Sequence, residues 1–92
     1  MKIVCACGSG LGSSLMVSMR VKEVLAELGV DAQVEHMDIS SLAFANPDLC
    51  VLGKDVAMTP EAQRMGEDKV ISLDRILDKE EIREKLKAKL GL

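Results

Sequence analysis

The chain has 92 residues, 48% of them hydrophobic, and a formal net charge of -3. This length predicts one domain over residues 1–92 and excludes two independent cores. An acidic chain with one Phe and neither Trp nor Tyr argues against nucleic-acid binding and against sugar capture by stacking. No apolar stretch approaches the ~20 residues of a membrane span, and three cysteines do not form a secreted disulfide framework. We therefore expect a soluble cytoplasmic protein with reduced thiols.

The N-terminal half predicts a strand, a helix and a second strand. Residues 1–6 form an apolar run that stops abruptly at a segment rich in glycine and serine. From Ser14 the spacing is that of an amphipathic helix, which ends at Gly29 and which we expect Ser13 or Ser14 to cap. Its apolar positions are Val17, Val21, Val24 and Leu28. Residues 30–37 then predict a strand, and residues 38–45 a short turn or helix.

The C-terminal half repeats the alternation of strand and helix. The apolar run of residues 49–52 predicts a buried third strand, and residues 69–73 a fourth. Between them, Thr59 followed by Pro60 predicts a short helix over residues 60–65. Asp78 and Glu81 have the spacing of a capping box ahead of a final helix. The apolar face of that helix carries Ile82, Leu86 and Leu90.

Strands that alternate with helices predict an α/β fold with right-handed crossovers. We expect a small three-layer sandwich with a four-stranded, mostly parallel sheet, similar to a Rossmann fold. Ligands of such sheets bind at the carboxyl ends of the strands. The glycine-rich segment after the first strand lies at that edge, and so does the predicted loop of residues 54–59.

The glycine-rich segment predicts a binding site for a phosphate-sized anion. Glycines at alternate positions permit backbone dihedrals closed to other residues, so that successive amide N–H groups form an anion nest ahead of a helix N-terminus. The serine hydroxyls add further donors. The complete segment is Cys7, Gly8, Ser9, Gly10, Leu11, Gly12, Ser13 and Ser14.

Known phosphate loops do not match this segment, and its cysteine sets it apart. A nucleotide P-loop needs lysine at its end, and a dinucleotide loop needs a different glycine spacing. Here a thiol begins the loop, which predicts a nucleophile that attacks a phosphoryl group. A helix dipole supplies at most ~2 kcal/mol, less than the roughly 3.4 kcal/mol needed for a mostly ionised thiol, so amide and hydroxyl donors must contribute.

The segment resembles the phosphocysteine loop of IIB components of the bacterial phosphoenolpyruvate-dependent sugar phosphotransferase system. The closest similarity is to the ascorbate and galactitol group, whose loops run Cys-Gly-x-Gly-x-Gly-Ser-Ser or near it. Length and element order are similar over the whole chain, while the specific motif covers residues 5–14.

The resemblance implies a phosphoryl carrier. Cys7 would accept phosphate from a phosphohistidine of a IIA protein and pass it to an ascorbate- or polyol-like sugar delivered by the membrane IIC subunit. The residues from Gly8 to Ser14 would hold the phosphoryl group. We expect a monomer that needs neither metal nor other cofactor and does not insert into the membrane itself.

Two other functions remain open at this point. The fold also resembles low-molecular-weight tyrosine phosphatases, but their C-x5-R motif is incomplete because Ser13 stands at the arginine position. Without that arginine, water attack on the phosphoryl group is expected to be slow, which suits a carrier. A thiol redox or regulatory module that uses Cys5 and Cys7 is the remaining alternative.

Four other residues have weaker chemical signals. We expect Cys5 and Cys50 to be core residues, because cysteine is commonly buried. His36 is expected at a strand end or on the surface, and two thiols without a nearby histidine argue against a metal site. Lys54 either contacts phosphate or a partner, or belongs to an ordinary charged loop. The methionines are expected mostly in the core, with Met16 and Met19 contributing to a docking surface.

Overall fold

The computed structural model describes residues 1–7 and 11–92, with the backbone alone for residues 7 and 11–13. Its four strands form one sheet in the order β2-β1-β3-β4, and every neighbouring pair is parallel, as predicted. The strands are β1 (Lys2–Cys7), β2 (Gln33–Asp38), β3 (Leu49–Gly53) and β4 (Val70–Leu73). Because all four run in the same direction, they end at one edge of the sheet, called here the carboxyl edge.

Helices cover both faces of the sheet, which confirms the three-layer α/β fold. One core lies between the sheet and the two long helices, and a second core lies between the sheet and the short ones. The helices are α1 (Leu11–Leu28), α2 (Leu42–Ala45), α3 (Lys54–Ala57), α4 (Pro60–Met65) and α5 (Lys79–Leu90), with 3₁₀ turns at Ile39–Ser41 and Glu67–Lys69. None of these helices, within the described ranges, is long and apolar enough to span a bilayer.

Strand β1 shows why the interior strands have continuous apolar sequences. Ile3 and Cys5 pack into the core beneath α1 and α5, while Val4 and Ala6 pack into the opposite core. All four are at most 1% exposed, since successive side chains of a strand point to opposite faces and both faces are covered. The two hydrophobic cores therefore hold β1 from both sides.

Several predicted boundaries are confirmed by specific contacts. Helix α4 covers the predicted residues 60–65, and the Thr59 hydroxyl accepts a hydrogen bond from the Ala62 amide at 3.4 Å. The turn or helix predicted over residues 38–45 is present as a 3₁₀ turn followed by α2. In α5, Ile82 and Leu86 are buried and Leu90 packs against them, as the apolar spacing predicted.

Two predicted boundaries are wrong. Residues 54–57 form α3 rather than a loop, because Gly53 adopts an extended conformation at the N-cap and Asp55 in the first turn favours a helix. Helix α1 begins at Leu11, so Ser13 and Ser14 lie in its first turns and do not cap it at Ser14. Ser14 is buried, and Ser18 donates to the Leu15 carbonyl at 2.6 Å, so the helix accommodates serine within its length.

Leu86 tests the core between the sheet and the long helices. Leu86→Ala should lower the free energy of unfolding by about 2–5 kcal/mol, because it leaves a cavity beside a side chain that is 0% exposed. Denaturant unfolding measures the change. Leu92→Ala is the matched control, since Leu92 is 61% exposed and its truncation should change stability by less than about 0.5 kcal/mol. Equal losses in the two variants would contradict the assigned core.

Candidate functional site

Cys7 is the last residue of β1 and lies at the carboxyl edge. The backbone register pairs it with Asp38, the last residue of β2. Gly8, Ser9 and Gly10 lie outside the described residues, and the first turn of α1 follows with Leu11, Gly12 and Ser13. The predicted order of strand and helix around this segment is therefore confirmed, while the phosphate-binding role of its residues stays a prediction.

The N-terminus of α1 supplies a positive electrostatic potential beside the end of β1. The first amide groups of an α-helix have no acceptor within the helix, and the aligned peptide dipoles add about half a positive charge there. Only three residues separate Cys7 from Leu11, so this end of α1 is close to the end of β1. A phosphate or thiolate is the kind of group that such an arrangement stabilises.

A partly buried carboxylate holds the segment that follows β4. The Glu81 carboxylate accepts hydrogen bonds from the backbone amides of Asp74 at 2.7 Å and Arg75 at 2.8 Å. Lys85 donates to the same carboxylate at 2.8 Å and to the Ser72 carbonyl oxygen. These bonds fix the backbone of residues 74 and 75 at the carboxyl edge, two strands away from Cys7.

The capping box predicted for α5 is only half right. Asp78 accepts from the amides of Glu80 at 3.0 Å and Glu81 at 3.4 Å, as an N-cap residue does. The Glu81 side chain, however, bonds to Asp74 and Arg75 instead of returning to the Asp78 amide. The Asp78 amide donates to the Arg75 carbonyl oxygen, so it is already satisfied within the turn.

The hydrogen bonds to Glu81 are reflected in its pKa. Desolvation by burial acts to raise the pKa, but the bonds from Lys85, Asp74 and Arg75 outweigh it and lower the pKa to about 2. The carboxylate is therefore charged throughout the physiological range. Since its side chain is only 14% exposed, solvent screens these bonds less than it would at the open surface.

Charged residues directly follow two of the strand ends at the carboxyl edge, those of β3 and β4. Lys54 and Asp55 begin α3 directly after β3, and Asp74 and Arg75 follow β4; all four are exposed. Lys54 lies at the predicted edge. The sequence analysis did not single out Asp38, although its position directly after the predicted second strand was a usable signal that it lies at this edge.

The two remaining cysteines are core residues, as predicted. Cys5 is 0% exposed and packs beneath α1 and α5, while Cys50 is 0% exposed on the opposite face of the sheet. Burial raises the pKa of the Cys50 thiol to about 11, against a smaller opposing effect of Lys69. Cys50 thus stays protonated at neutral pH and is a poor nucleophile.

His36 is exposed on β2, where it pairs in register with Cys5 and not with Cys7. The prediction of a surface histidine is confirmed, although His36 lies two residues before the end of the strand. Within residues 1–7 and 11–92, no group of three or more His, Cys, Asp or Glu side chains is arranged to hold a metal ion.

Exposed apolar side chains lie along the first half of α1. Leu15, Met16 and Met19 are 44%, 47% and 54% exposed and share one face of the helix. Met1 and Met58 are also exposed, so the expectation that most of the six methionines fill the core is wrong. The other two, Met37 and Met65, are partly buried and pack against the core between the sheet and the short helices.

Comparison of the fold with solved structures assigns the chain to a structural class. A solved structure described as a low molecular weight protein tyrosine phosphatase from Bacillus subtilis matches with a TM-score of 0.59, over 99% of this chain and 97% of that chain. The two sequences are 14% identical, so the match establishes the fold class alone. It agrees with the predicted α/β architecture.

The sequence then defines the family. The model described as PTS system, Lactose/Cellobiose specific IIB subunit matches residues 2–88, and the chain belongs to this family of IIB components. A curated relative from Mycoplasma pneumoniae, named Ascorbate-specific PTS system EIIB component, is 25% identical over 84 residues, which cover 91% of this chain and 88% of the relative.

Family membership fixes the general activity and confirms the predicted resemblance to IIB components. The chain is a phosphotransferase component of sugar transport by the phosphotransferase system. IIB components of this system work with IIA proteins and membrane IIC proteins. The descriptions of the family model and of the relative name different sugars, so they do not fix a substrate for this chain.

Glu81 tests how firmly the segment after β4 is held. Glu81→Gln should lower the free energy of unfolding by about 2 kcal/mol at pH 7, because an amide has one acceptor oxygen for two backbone donors. The folded pKa is depressed from 4.5 to about 2, so the stabilisation is present above the unfolded value and is lost as the pH falls through this range.

Urea unfolding between pH 2 and pH 7 measures both effects. The difference between wild type and Glu81→Gln should shrink as the pH falls from about 4.5 toward about 2. Glu84→Gln, an equal charge change at an exposed position of α5, is the control and should have little effect. A pH-independent loss in Glu81→Gln would contradict the carboxylate's role.

Proposed function

We propose that Cys7 is the residue that carries the phosphoryl group, and that residues 1–92 act as one carrier domain. The observation that carries the proposal is the position of Cys7 at the end of β1, separated from the N-terminus of α1 by three residues. That position supplies a nucleophile together with a positive potential for the incoming anion.

The other thiols support this choice by elimination. Cys5 and Cys50 are both fully buried, and burial raises the pKa of Cys50. Neither thiol meets a phosphorylated side chain of a partner protein without unfolding of the core around it. Cys7 alone among the three cysteines lies at the edge where ligands of parallel sheets bind.

The proposed reaction has two balanced steps. The Cys7 sulfur forms a bond to phosphorus while the bond from phosphorus to the histidine nitrogen of a IIA protein breaks. The electron pair of that bond stays on the imidazole, which takes up the proton of the thiol. A sugar hydroxyl bound to the IIC protein then attacks phosphorus, the S–P bond breaks, and the hydroxyl proton returns to sulfur.

The residues proposed to hold the phosphoryl group are the seven that follow Cys7, from Gly8 to Ser14. Glycines allow backbone amides to converge on one anion, and serine hydroxyls donate further hydrogen bonds. Neither arginine nor lysine occurs among these residues. A held phosphoryl group without a cation next to it is less activated toward water, which favours transfer to a partner over hydrolysis.

The proposal includes transient binding of a IIA donor and of a membrane IIC acceptor, by a monomer located in the cytoplasm. The exposed residues Leu15, Met16 and Met19 on α1 follow the proposed loop and are suited to contact such partners. Methionine side chains adapt to different surfaces, which is useful where two partners bind in turn.

Phosphorylation of Cys7 is tested by mass spectrometry. After incubation with phosphoenolpyruvate, the general phosphotransferase proteins and a IIA protein, wild type should gain one phosphoryl group of about 80 Da at Cys7. Cys7→Ser should lose this label, because a serine hydroxyl is not activated by the same site. Cys5→Ala is the control that should keep it. Label on Cys5, or none with a functional donor, would contradict the proposal.

We further propose that the accepted sugar is ascorbate or a related polyol. The support is the 84-residue similarity to the ascorbate-specific relative, together with the resemblance of the Cys7 segment to loops of that group. The family description names lactose and cellobiose instead, so the acceptor has to be decided by experiment.

The acceptor is tested with membrane vesicles that contain either an ascorbate IIC protein or a cellobiose IIC protein. Phosphorylated wild-type chain should transfer its label to ascorbate in the first vesicles and at least about tenfold more slowly to cellobiose in the second, which corresponds to about 1.4 kcal/mol of discrimination. Cys7→Ser serves as the blank in both. Transfer to cellobiose alone would overturn the proposed specificity and leave the carrier function intact.

A further inference from the structure

The carboxyl edge carries charges of both signs, and most of them are adjacent in opposite pairs. Lys54 and Asp55 follow β3, and Asp74 and Arg75 follow β4. At distances larger than the separation of the two charges in a pair, their electrostatic potentials nearly cancel. The end of β2 is different, because no charged residue follows Asp38 until Asp48, directly before β3.

Asp38 is also the charged residue at this edge that is in register with Cys7. Neighbouring strands are about 4.8 Å apart, so its backbone is closer to Cys7 than that of any residue after β4. Asp38 is exposed and its side chain does not cap the 3₁₀ turn that begins at Ile39. Within the part of the chain that the structure describes, its carboxylate has neither a hydrogen bond nor an ion pair.

We propose that Asp38 keeps the phosphoryl group on Cys7 transferable by placing an uncompensated negative charge next to it. The inference rests on the proposed function of Cys7. A thiol is neutral and a thiolate carries one negative charge, whereas a phosphoryl group carries between one and a half and two. The carboxylate therefore raises the free energy of the phosphorylated form more than that of the unmodified form.

The size of this effect follows from Coulomb's law. For charges about 6 Å apart in a medium close to water, repulsion of a doubly charged group by one carboxylate changes an equilibrium by about three- to tenfold. The helix N-terminus and the amide donors act in the opposite direction and favour the bound phosphoryl group. Asp38 offsets part of that stabilisation and so promotes the onward step.

The experiment measures the equilibrium of phosphoryl exchange between a phosphorylated IIA protein of an ascorbate system and this chain. The fraction of phosphorylated Cys7 is read by mass spectrometry at several protein ratios. Asp38→Asn should raise the equilibrium constant for phosphorylation by about three- to tenfold, and Asp38→Glu should stay close to wild type because it keeps the charge. The effect of Asp38→Asn should shrink at about 1 M salt, where the Debye length is about 3 Å.

Asp31→Asn is the matched control. It removes the same charge from an exposed residue two positions before β2, at the opposite end of the strand. The equilibrium constant for phosphorylation of Cys7 in Asp31→Asn should equal that of wild type. Phosphorylated Asp38→Asn should transfer its phosphoryl group to sugar in vesicles more slowly than wild type. The factor should be similar to the increase in its equilibrium constant for phosphorylation by the IIA protein.

The outcomes separate the inference from the function on which it rests. Phosphorylation of Cys7 with equal constants in Asp38→Asn and Asp31→Asn would reject the role of Asp38 and leave the carrier function standing. An equal gain in Asp38→Glu would show an effect of shape and would also reject it. A wild-type chain that takes no phosphate on Cys7 from a functional donor would overturn both. Thermal unfolding of each variant identifies any loss of folded protein, and Asp38→Ser replaces Asp38→Asn in that case.

Discussion

The parallel pairing of β1 between β2 and β3 is the constraint on which the rest of the structure depends. It places the end of every strand at one edge, so residues far apart in sequence meet there, such as Cys7 and Asp38. The pairing is stable because both faces of β1 are buried, one under the long helices and one under the short ones. A shift of register would move its apolar side chains and the end of the strand together.

Much of this architecture follows from apolar periodicity and from Gly and Pro. The four strands, the long helices and the helix at Pro60 have signals that agree with their final environment, so sequence and packing favour the same structure. The predicted start of α1 was wrong because serine is both a capping residue and a tolerated helix residue. Ser14 is buried in the first turns of this helix and does not precede it. The short helix at Lys54 was missed because four residues are too few for a periodic pattern.

The contacts of the candidate site were less predictable than the elements that carry it. The spacing of Asp78 and Glu81 predicted a local cap, yet Glu81 instead binds the two backbone amides of Asp74 and Arg75. A sequence gives separations along the chain, whereas the choice between two sets of donors depends on where the turn after β4 passes. The register of the strands was equally unpredictable, since nothing in the sequence alone pairs Asp38 with Cys7 rather than with a neighbour of Cys7.

A phosphoryl carrier has to satisfy two opposing requirements at one sulfur atom. In the proposed carrier, the site must stabilise the anion enough for Cys7 to take it from its donor, but a very stable phosphorylated form would slow transfer to the sugar. The helix dipole and the amide dipoles stabilise the anion and so serve the first requirement, and the backbone fixes their positions. A carboxylate side chain on the neighbouring strand acts on the second, and it can be adjusted by a single substitution without changing the loop. On this argument, the balance between accepting and releasing phosphate is set from outside the glycine-rich segment, at the end of β2.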